Sequence, residues 1–378
     1  FFFKQKTAYE IPKRDWSSDV CSSDLDDSYS IDIGKGNIEQ LPSFLKKNIS
    51  SFRFIVITDS NVKELYGEYF LSLLKKEKLN AFLVSFSAGE KFKTRETKLE
   101  LENKILKIGT GKDSCIIALG GGVVGDVSGF VASTLFRGIP FVQVPTTLLA
   151  QVDSSSGGKT AVDHPLGKNL IGAYHQPKHV CIDTFFLKTL SQAEYVNGIA
   201  EIIKQALIQD KKFFLFLEKE IVQLVARNEN VLKKTIEWNC KLKARIIEKD
   251  ERETGPRKIL NFGHTIGHAI ETLSHYKLRH GYSVSIGMVA ESLIAKELNW
   301  LKEKDVERIV NILRKAKLPA RIPKNISVQS ILEKMQLDKK TKEGKIKYSL
   351  IDKIGNCQYN VGIENEIALR CLNKVISK

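Results

Sequence analysis

The chain has 378 residues, of which 42% are hydrophobic and 27% charged, and it carries 59 Lys and Arg against 44 Asp and Glu, a formal net charge of +15. That balance excludes a disulfide miniprotein and a globally disordered chain, and the length suffices for two or three ordinary domains. No apolar run approaches the roughly 18 residues of a membrane span. The lysines are spread along the chain, so solvated faces and an anion site are expected, with neither nucleic acid nor membrane as partner.

Residues 1–25 read FFFKQKTAYEIPKRDWSSDVCSSDL, with no helical or strand period and no apolar segment after the charges, so they are not a signal peptide. They resemble a translated sequencing-adapter segment, a non-native leader with no packed role. From Tyr29 to about residue 190 short β-rich runs alternate with helical stretches. Strands are predicted over Ser30–Ile33, Phe52–Thr58, Ala81–Phe86, Ser114–Leu119, Phe141–Val144 and His179–Ile182. Helices are predicted over Ile38–Lys47, Asn61–Lys78, Lys93–Ile108 and from the glycine loop to Ser133. Such alternation means parallel βαβ units with helices covering a sheet. After Ser191 helices dominate: Glu194–Gln209, Lys211–Arg227, Val231–Asp250, Asn261–Leu273, Tyr282–Leu298 and Lys304–Lys315, with a strand only at Lys347–Ile351. The expected organisation is a leader (1–25), an α/β Rossmann-like domain with a parallel sheet (26–190) and a mostly α-helical domain (191–378). The cysteines Cys21, Cys115, Cys181, Cys240, Cys357 and Cys371 form no CxxC pair and sit mostly among apolar residues. They read as reduced core thiols of a cytoplasmic protein.

Three clusters carry chemistry. Gly120, Gly122 and Gly125 spell GxGxxG between a strand and a helix, where bare backbone amides can approach a pyrophosphate at a helix N-terminus. The loop follows a late strand, with no acidic strand end about 20 residues on. Asp59, closing an earlier strand, is the candidate for the ribose; a merely tight strand–helix turn remains the alternative. The segment Gln151–Asn169 places Asp153, Lys159 and Lys168 among Gly and Ser, either an anion cradle or a solvated loop. In NFGHTIGH, His264 and His268 share a helix face at i and i+4, and His280 follows sixteen residues after His264. Thr265 occupies the position of the HExxH glutamate, which removes the metalloprotease reading. Glu201, with Lys204 one turn on, adds a carboxylate, so Glu plus two or three His makes a plausible open zinc site; capped or surface histidines are the alternative. Lys243, Arg257 and Asn261, with His268, suit a carboxylate and a phosphate.

The stretches GGGVVGDVSGFVAS, RGIPFVQVPTTLLAQVDSSSGGKTAVDHPLGKNLIGAYHQP, AEIIK, DERETGPRKILNFGHTIGHAIE and HGYSV, in this order from Tyr29 onward, resemble the 3-dehydroquinate synthases. The resemblance implies an NAD- and metal-dependent cytoplasmic lyase of the shikimate pathway. It would convert 3-deoxy-D-arabino-heptulosonate 7-phosphate into 3-dehydroquinate and phosphate, through transient oxidation by NAD, phosphate elimination, re-reduction and intramolecular aldol closure. It further implies zinc, or cobalt, on Glu201, His264 and His280, with His268 turned to substrate. NAD would lie against Asp59, Asn61, Glu90 and Lys93 of the Gly89–Lys93 segment, Gly121, Gly122, Val123, Asp126, Thr146, Thr147, Lys159, Lys168, Phe186 and Thr189. Substrate would meet Lys159, Asn169, Lys204, Lys243, Arg257, Asn261 and His268, with Asp153 beside them. Arg137 would act across a homodimer interface, and Lys339 or Lys340 would close the site. One departure is visible: Tyr282 stands where the family usually has Glu after His-Gly, and zinc binding is expected to survive it. The alternatives are a sister sugar-phosphate cyclase or a metal-dependent polyol dehydrogenase, and the latter would accumulate NADH.

Overall fold

A computed structural model describes residues 28–338 and 346–377. The leader 1–25 and the pair Lys339 and Lys340 lie outside the described residues. The strands are β1 (Ser30–Gly34), β2 (Arg53–Asp59), β3 (Ala81–Phe86), β4 (Ser114–Gly120), β5 (Phe141–Pro145), β6 (Lys159–His164), β7 (Gly167–Tyr174), β8 (His179–Asp183), β9 (Ile346–Lys353) and β10 (Asn356–Ile363). In the first half the helices are α1 (Asn37–Asn48), α2 (Ser60–Val62), α3 (Glu68–Lys76), α4 (Arg95–Lys107) and α5 (Gly122–Thr134). The second half holds α6 (Gln192–Gln209), α7 (Lys211–Val225), α8 (Glu229–Lys249), α9 (His264–Leu273), α10 (His280–Glu297), α11 (Glu303–Lys315), α12 (Val328–Asp338) and α13 (Asn365–Asn373).

β1, β8, β5, β4, β2 and β3, in that spatial order, form a parallel six-stranded sheet. Its central strands are buried on both faces and therefore read as continuous apolar runs. Side chains alternate between the faces. Ile55, Ile57, Ile116 and Ala118 pack into the cluster formed with α4 and α5, while Phe54, Val56, Ile117 and Leu119 join the opposite cluster with α1 and α3. From β2 the chain steps outward to β3, then returns past β2 to β4 and winds on to β5 and β8. The winding reverses between β2 and β4, and ligands of open α/β sheets bind in the crevice at such a reversal, beyond the carboxyl ends of the strands. Asp59 ends β2 and the glycine loop follows β4, so both flank that crevice.

The largest apolar cluster joins Ile31, Ile33, Val180 and Ile182 of β1 and β8 to the helices from α6 onward. The helical part is thus built against one end of the sheet, as the two-part α/β-then-α reading expects. Among the described residues no helix is long and apolar enough to cross a membrane. No disulfide joins the described cysteines, and Cys115, Cys181, Cys240 and Cys371 are buried.

Two hairpins depart from the sequence reading. The Gly- and Lys-rich segment expected to be irregular forms the antiparallel pair β6–β7. It is held because Thr160 packs against α5 at Gly129, where an added Cβ would lie 2.4 Å from the Thr160 methyl. β9 corresponds to the predicted Lys347–Ile351 strand, but its partner β10 (NCQYNVGI) is too polar to register as a strand. Gly355, at φ 91, turns between them. The predicted helix Asn61–Lys78 is interrupted by a π turn at Lys63–Gly67.

Candidate active site

Glu201 sits in the middle of α6, 2% exposed. Neither of its carboxylate oxygens has a well-formed hydrogen bond. Lys204, one turn along α6, places its ammonium against Oε2, while Oε1 faces two imidazoles: His280 Nε2 at 3.5 Å and His264 Nε2 at 3.7 Å. The other ring nitrogens are engaged elsewhere. His264 Nδ1 is 3.1 Å from the Phe262 carbonyl, and His280 Nδ1 is 3.2 Å from Glu271 Oε2. Each imidazole therefore turns Nε2 toward Glu201. Two donors on a tetrahedral zinc lie about 3.3 Å apart, given metal–ligand bonds near 2.0–2.1 Å. The Glu201–His264 and Glu201–His280 separations are close to that. His264, His268 and His280 also converge, with one ring nitrogen of each within 4.8 Å of the others. The trio is the looser set. The tighter oxygen–nitrogen spacing makes Glu201, His264 and His280 the candidate metal set, with His268 beside it. One carboxylate oxygen faced by two imidazole nitrogens is a donor set that fits a cation.

Electrostatics agree. Burial alone would raise the Glu201 carboxyl, but Lys204, then His264 and His280, hold it well below the usual range. Burial lowers His280, yet its bonds to Glu201 and Glu271 outweigh this and push it up to about 10. Burial, then the charge of Lys204, puts His264 well below its ordinary value, and burial with His280 lowers His268 to about 4. Local folding explains how α9 comes to hold its histidines. Gly263, at φ 78, starts the helix without a side-chain cap, and Glu291 of α10 supplies one from outside, accepting from Gly263 N (2.6 Å) and Ile266 N (3.3 Å).

A cationic group lies beside this cluster. Lys243 of α8, 5% exposed, donates to Asp153 Oδ1 (2.6 Å) and to the Asp153 carbonyl. Arg257, 2% exposed, donates to the Gly157 and Glu251 carbonyls. Lys159 meets Glu253, which also accepts from Asn261 (2.7 Å). Burial, then Arg257 and Lys243, lower the Lys159 ammonium to about 8. So many like charges in one place suit an anionic ligand. Burial opposes ionisation of Asp153, but Lys243 outweighs it and holds the carboxyl below its ordinary value.

At the crevice, α5 begins at Gly121 and Gly122 with no side-chain cap, so its first amides are open to an anion. A Cβ at Gly121 would come 3.0 Å from the Thr147 methyl, and one at Gly122 3.0 Å from Ser154 Oγ. Thr146 N donates to Gly120 O (2.9 Å), and Thr147 Oγ1 accepts from Ala150 N (3.1 Å). Val123 follows on the same first turn. Asp59 Oδ1 caps α2, accepting from Asn61 N and Val62 N, both at 2.9 Å. Lys93, 4% exposed, bridges Asp126 Oδ2 and Asn169 Oδ1, each at 2.5 Å. Lys168 bridges Glu90 (2.9 Å) and Glu271 (2.8 Å).

The structure thus gathers nearly all the sequence-predicted residues around one region. Three stand apart. Arg137 is exposed, at left-handed φ 70, beyond the far end of α5 from the glycine loop. The Phe186 side chain is in the core, edge-on to Tyr66 at 4.9 Å, leaving only its backbone for a ligand. Thr189 Oγ1 pairs with Tyr66 OH at 2.5 Å. Tyr282 packs half-buried against the largest apolar cluster. Sequence reasoning missed Glu271, Glu253 and Glu291. Glu271 carried a usable signal, since His264, His268 and Glu271 are i, i+4 and i+7 on one helix face. Glu253 and Glu291 meet their partners only through tertiary folding.

Residues 83–197 match the family model described as 3-dehydroquinate synthase N-terminal, and residues 198–341 that described as 3-dehydroquinate synthase C-terminal. A curated 3-dehydroquinate synthase of Thermodesulfovibrio yellowstonii is 44% identical over 348 residues, covering 92% of this chain and 97% of that one. Among solved structures, 2-epi-5-epi-valiolone synthase from Streptomyces hygroscopicus subsp. jinggangensis, with NAD+ and Zn2+ bound, superposes with TM-score 0.85 at 27% identity, over 94% of this chain and 99% of that chain. A 2-deoxy-scyllo-inosose synthase complexed with carbaglucose-6-phosphate, NAD+ and Co2+ gives TM-score 0.86 at 27% identity, over 95% and 99%.

Proposed function

The chain belongs to the 3-dehydroquinate synthase family, and on that premise we propose that it converts 3-deoxy-D-arabino-heptulosonate 7-phosphate into 3-dehydroquinate and phosphate. The observation that carries the reading is the buried Glu201, its oxygens short of hydrogen bonds, facing Nε2 of both His264 and His280. When bound, NAD accepts and returns a hydride and a zinc or cobalt ion polarises substrate hydroxyls. Glu201, His264 and His280 would hold that ion. The glycine loop with Gly121, Gly122 and Val123, the flanking Thr146 and Thr147, and Asp59, Asn61, Glu90, Lys93, Asp126, Lys168 and the Phe186–Thr189 turn form the nucleotide pocket.

The chain's own side chains bind, orient and neutralise. Lys159, Lys243, Arg257, Asn169 and Asn261 meet the substrate carboxylate and phosphate, and fixed charges of this kind balance the negative charge that grows on a departing phosphate. Lys204 sets the charge of Glu201. His268, kept neutral by its burial, can accept a proton from substrate. Asp153 orients Lys243. Holding one substrate through several steps demands many such contacts at once. Arg137 of the partner subunit completes the phosphate pocket of a cytoplasmic homodimer. The division into an NAD-binding part (26–190) and a metal- and substrate-binding part (191–378) belongs to the same reading, as does closure of the site by Lys339 or Lys340.

The test is phosphate release from 3-deoxy-D-arabino-heptulosonate 7-phosphate with catalytic NAD and zinc. Release that a chelator abolishes, without lasting NADH absorbance, is the expected result. Stoichiometric NADH would instead indicate a polyol dehydrogenase. Turnover of a sugar phosphate lacking the carboxylate, with none of the heptulosonate, would indicate a sister cyclase.

A further inference from the structure

We propose that Glu271 is a positioning residue that ties the metal centre to the nucleotide pocket, so that the two sites bind their ligands as one coupled unit. The inference rests on the reading above, in which His280 is a metal ligand and Glu90 and Lys168 lie against the nucleotide. Glu271 is 4% exposed, and both its oxygens are engaged. Oε2 takes His280 Nδ1 at 3.2 Å and Oε1 takes Lys168 Nζ at 2.8 Å. Lys168 reaches on to Glu90 Oε1 at 2.9 Å and lies 4.5 Å above the Tyr276 ring. Four charged groups therefore run in file from the Gly89–Lys93 segment, across the β7 strand, to the first residue of α10.

Each link constrains the next. His280 can aim Nε2 at Glu201 only while Nδ1 is held, and the group holding it sits on α9, the helix that also carries His264. A carboxylate behind a ligating imidazole fixes its orientation and strengthens it as a donor. Glu271 is in turn held by Lys168, which it shares with Glu90. A nucleotide that engages Lys168 or Glu90 changes what is left for Glu271, and so changes His280. By linkage the reverse must hold to the same factor. The position of Tyr282 has no part in this, because the carboxylate on His280 arrives from α9 rather than from α10.

The experiment measures the zinc dissociation constant by chelator competition, with and without NAD, for the wild type, Glu271→Gln, Lys168→Met and His280→Ala. Glu271→Gln keeps the side-chain shape and loses the charge. It should weaken zinc binding by about 10- to 100-fold and shift the visible spectrum of the cobalt-loaded protein, with a lowered thermal midpoint because Lys168 and His280 lose a buried partner. NAD should change wild-type zinc affinity by roughly 5-fold or more, and zinc should change NAD affinity by the same factor. That ratio should fall to about one in Glu271→Gln and in Lys168→Met. A wild-type ratio of one overturns the proposal. So does wild-type coupling in Lys168→Met, whether or not Glu271→Gln folds. If His280→Ala loses zinc while Glu271→Gln keeps both affinity and coupling, this inference alone fails. If His280→Ala keeps wild-type zinc affinity, the ligand assignment beneath it fails as well.

Discussion

Gly281, the residue after His280, gives the sharpest test of how the helices set the metal donors. Its backbone N donates to Asn197 Oδ1 (2.7 Å), and a Cβ placed on it would stand 2.1 Å from the Asn197 carbonyl oxygen and 3.0 Å from the Ala200 Cβ. Carbon–oxygen contacts close no nearer than about 3.3 Å. Gly281→Ala must therefore part α10 from α6 by roughly 1 Å at this point. Asn197 lies one turn before Glu201, so the same displacement stretches the 3.5 Å separation of Glu201 Oε1 from His280 Nε2. Overpacking of this kind costs about 1–3 kcal/mol of stability, and a 1 Å error at a reacting centre costs about 100-fold in rate. The variant should remain folded by circular dichroism, with a lowered urea midpoint, a weakened zinc affinity and activity down about 100-fold. Wild-type zinc affinity and activity in a folded Gly281→Ala protein would refute the claim that the α6–α10 contact sets the ligand spacing.

Further outcomes follow from the same geometry. In the metal-free protein His280 is protonated below about pH 10, and a ligand must be deprotonated to bind. Zinc binding between pH 7 and 8 should therefore release close to one proton from this site, read from the buffer dependence of the calorimetric heat, and zinc affinity should rise with pH up to about 10. The raised His280 value also means that its stabilising contribution to the metal-free fold is whole below the unfolded value of 6.5 and is lost as pH rises through about 10. Lys159 titrates near 8, so KM for the anionic substrate should rise above pH 8 as the ammonium is lost, and Lys159→Met should raise KM and remove that inflection. Glu291→Gln replaces the carboxylate that caps α9 and weakens its bonds to Gly263 N and Ile266 N. About 1–3 kcal/mol of stability should be lost, as shifts in the denaturation midpoint report.

The sheet was legible because strands buried on both faces, such as FIVI in β2 and CIIAL in β4, have no polar period to confuse them. The glycine loop and the spacing of His264 and His268 were equally plain, since both are local. What sequence order hid is what tertiary folding supplies. The β6–β7 hairpin owes its regularity to α5 rather than to its own propensity, and β10 to its pairing with β9. Residue spacing alone left two or three histidines as candidate ligands. The resemblance singled out His264 and His280, and the position of a carboxylate on α6 supports that choice. The acidic partners Glu253 and Glu291 were invisible for the same reason: a charge in a sequence reads as solvated until its partner is known.

The β6–β7 hairpin supplies Lys159, Lys168 and Asn169, so one surface excursion reaches Glu253, Glu271 and Lys93 together. Surface loops ordinarily absorb insertions and deletions with little penalty. Here a one-residue slip between the strands would exchange the two faces of β7, taking Lys168 from Glu271 and Asn169 from Lys93. Length variation in this hairpin is therefore barred, and tags, affinity epitopes or permuted termini belong elsewhere on the molecule.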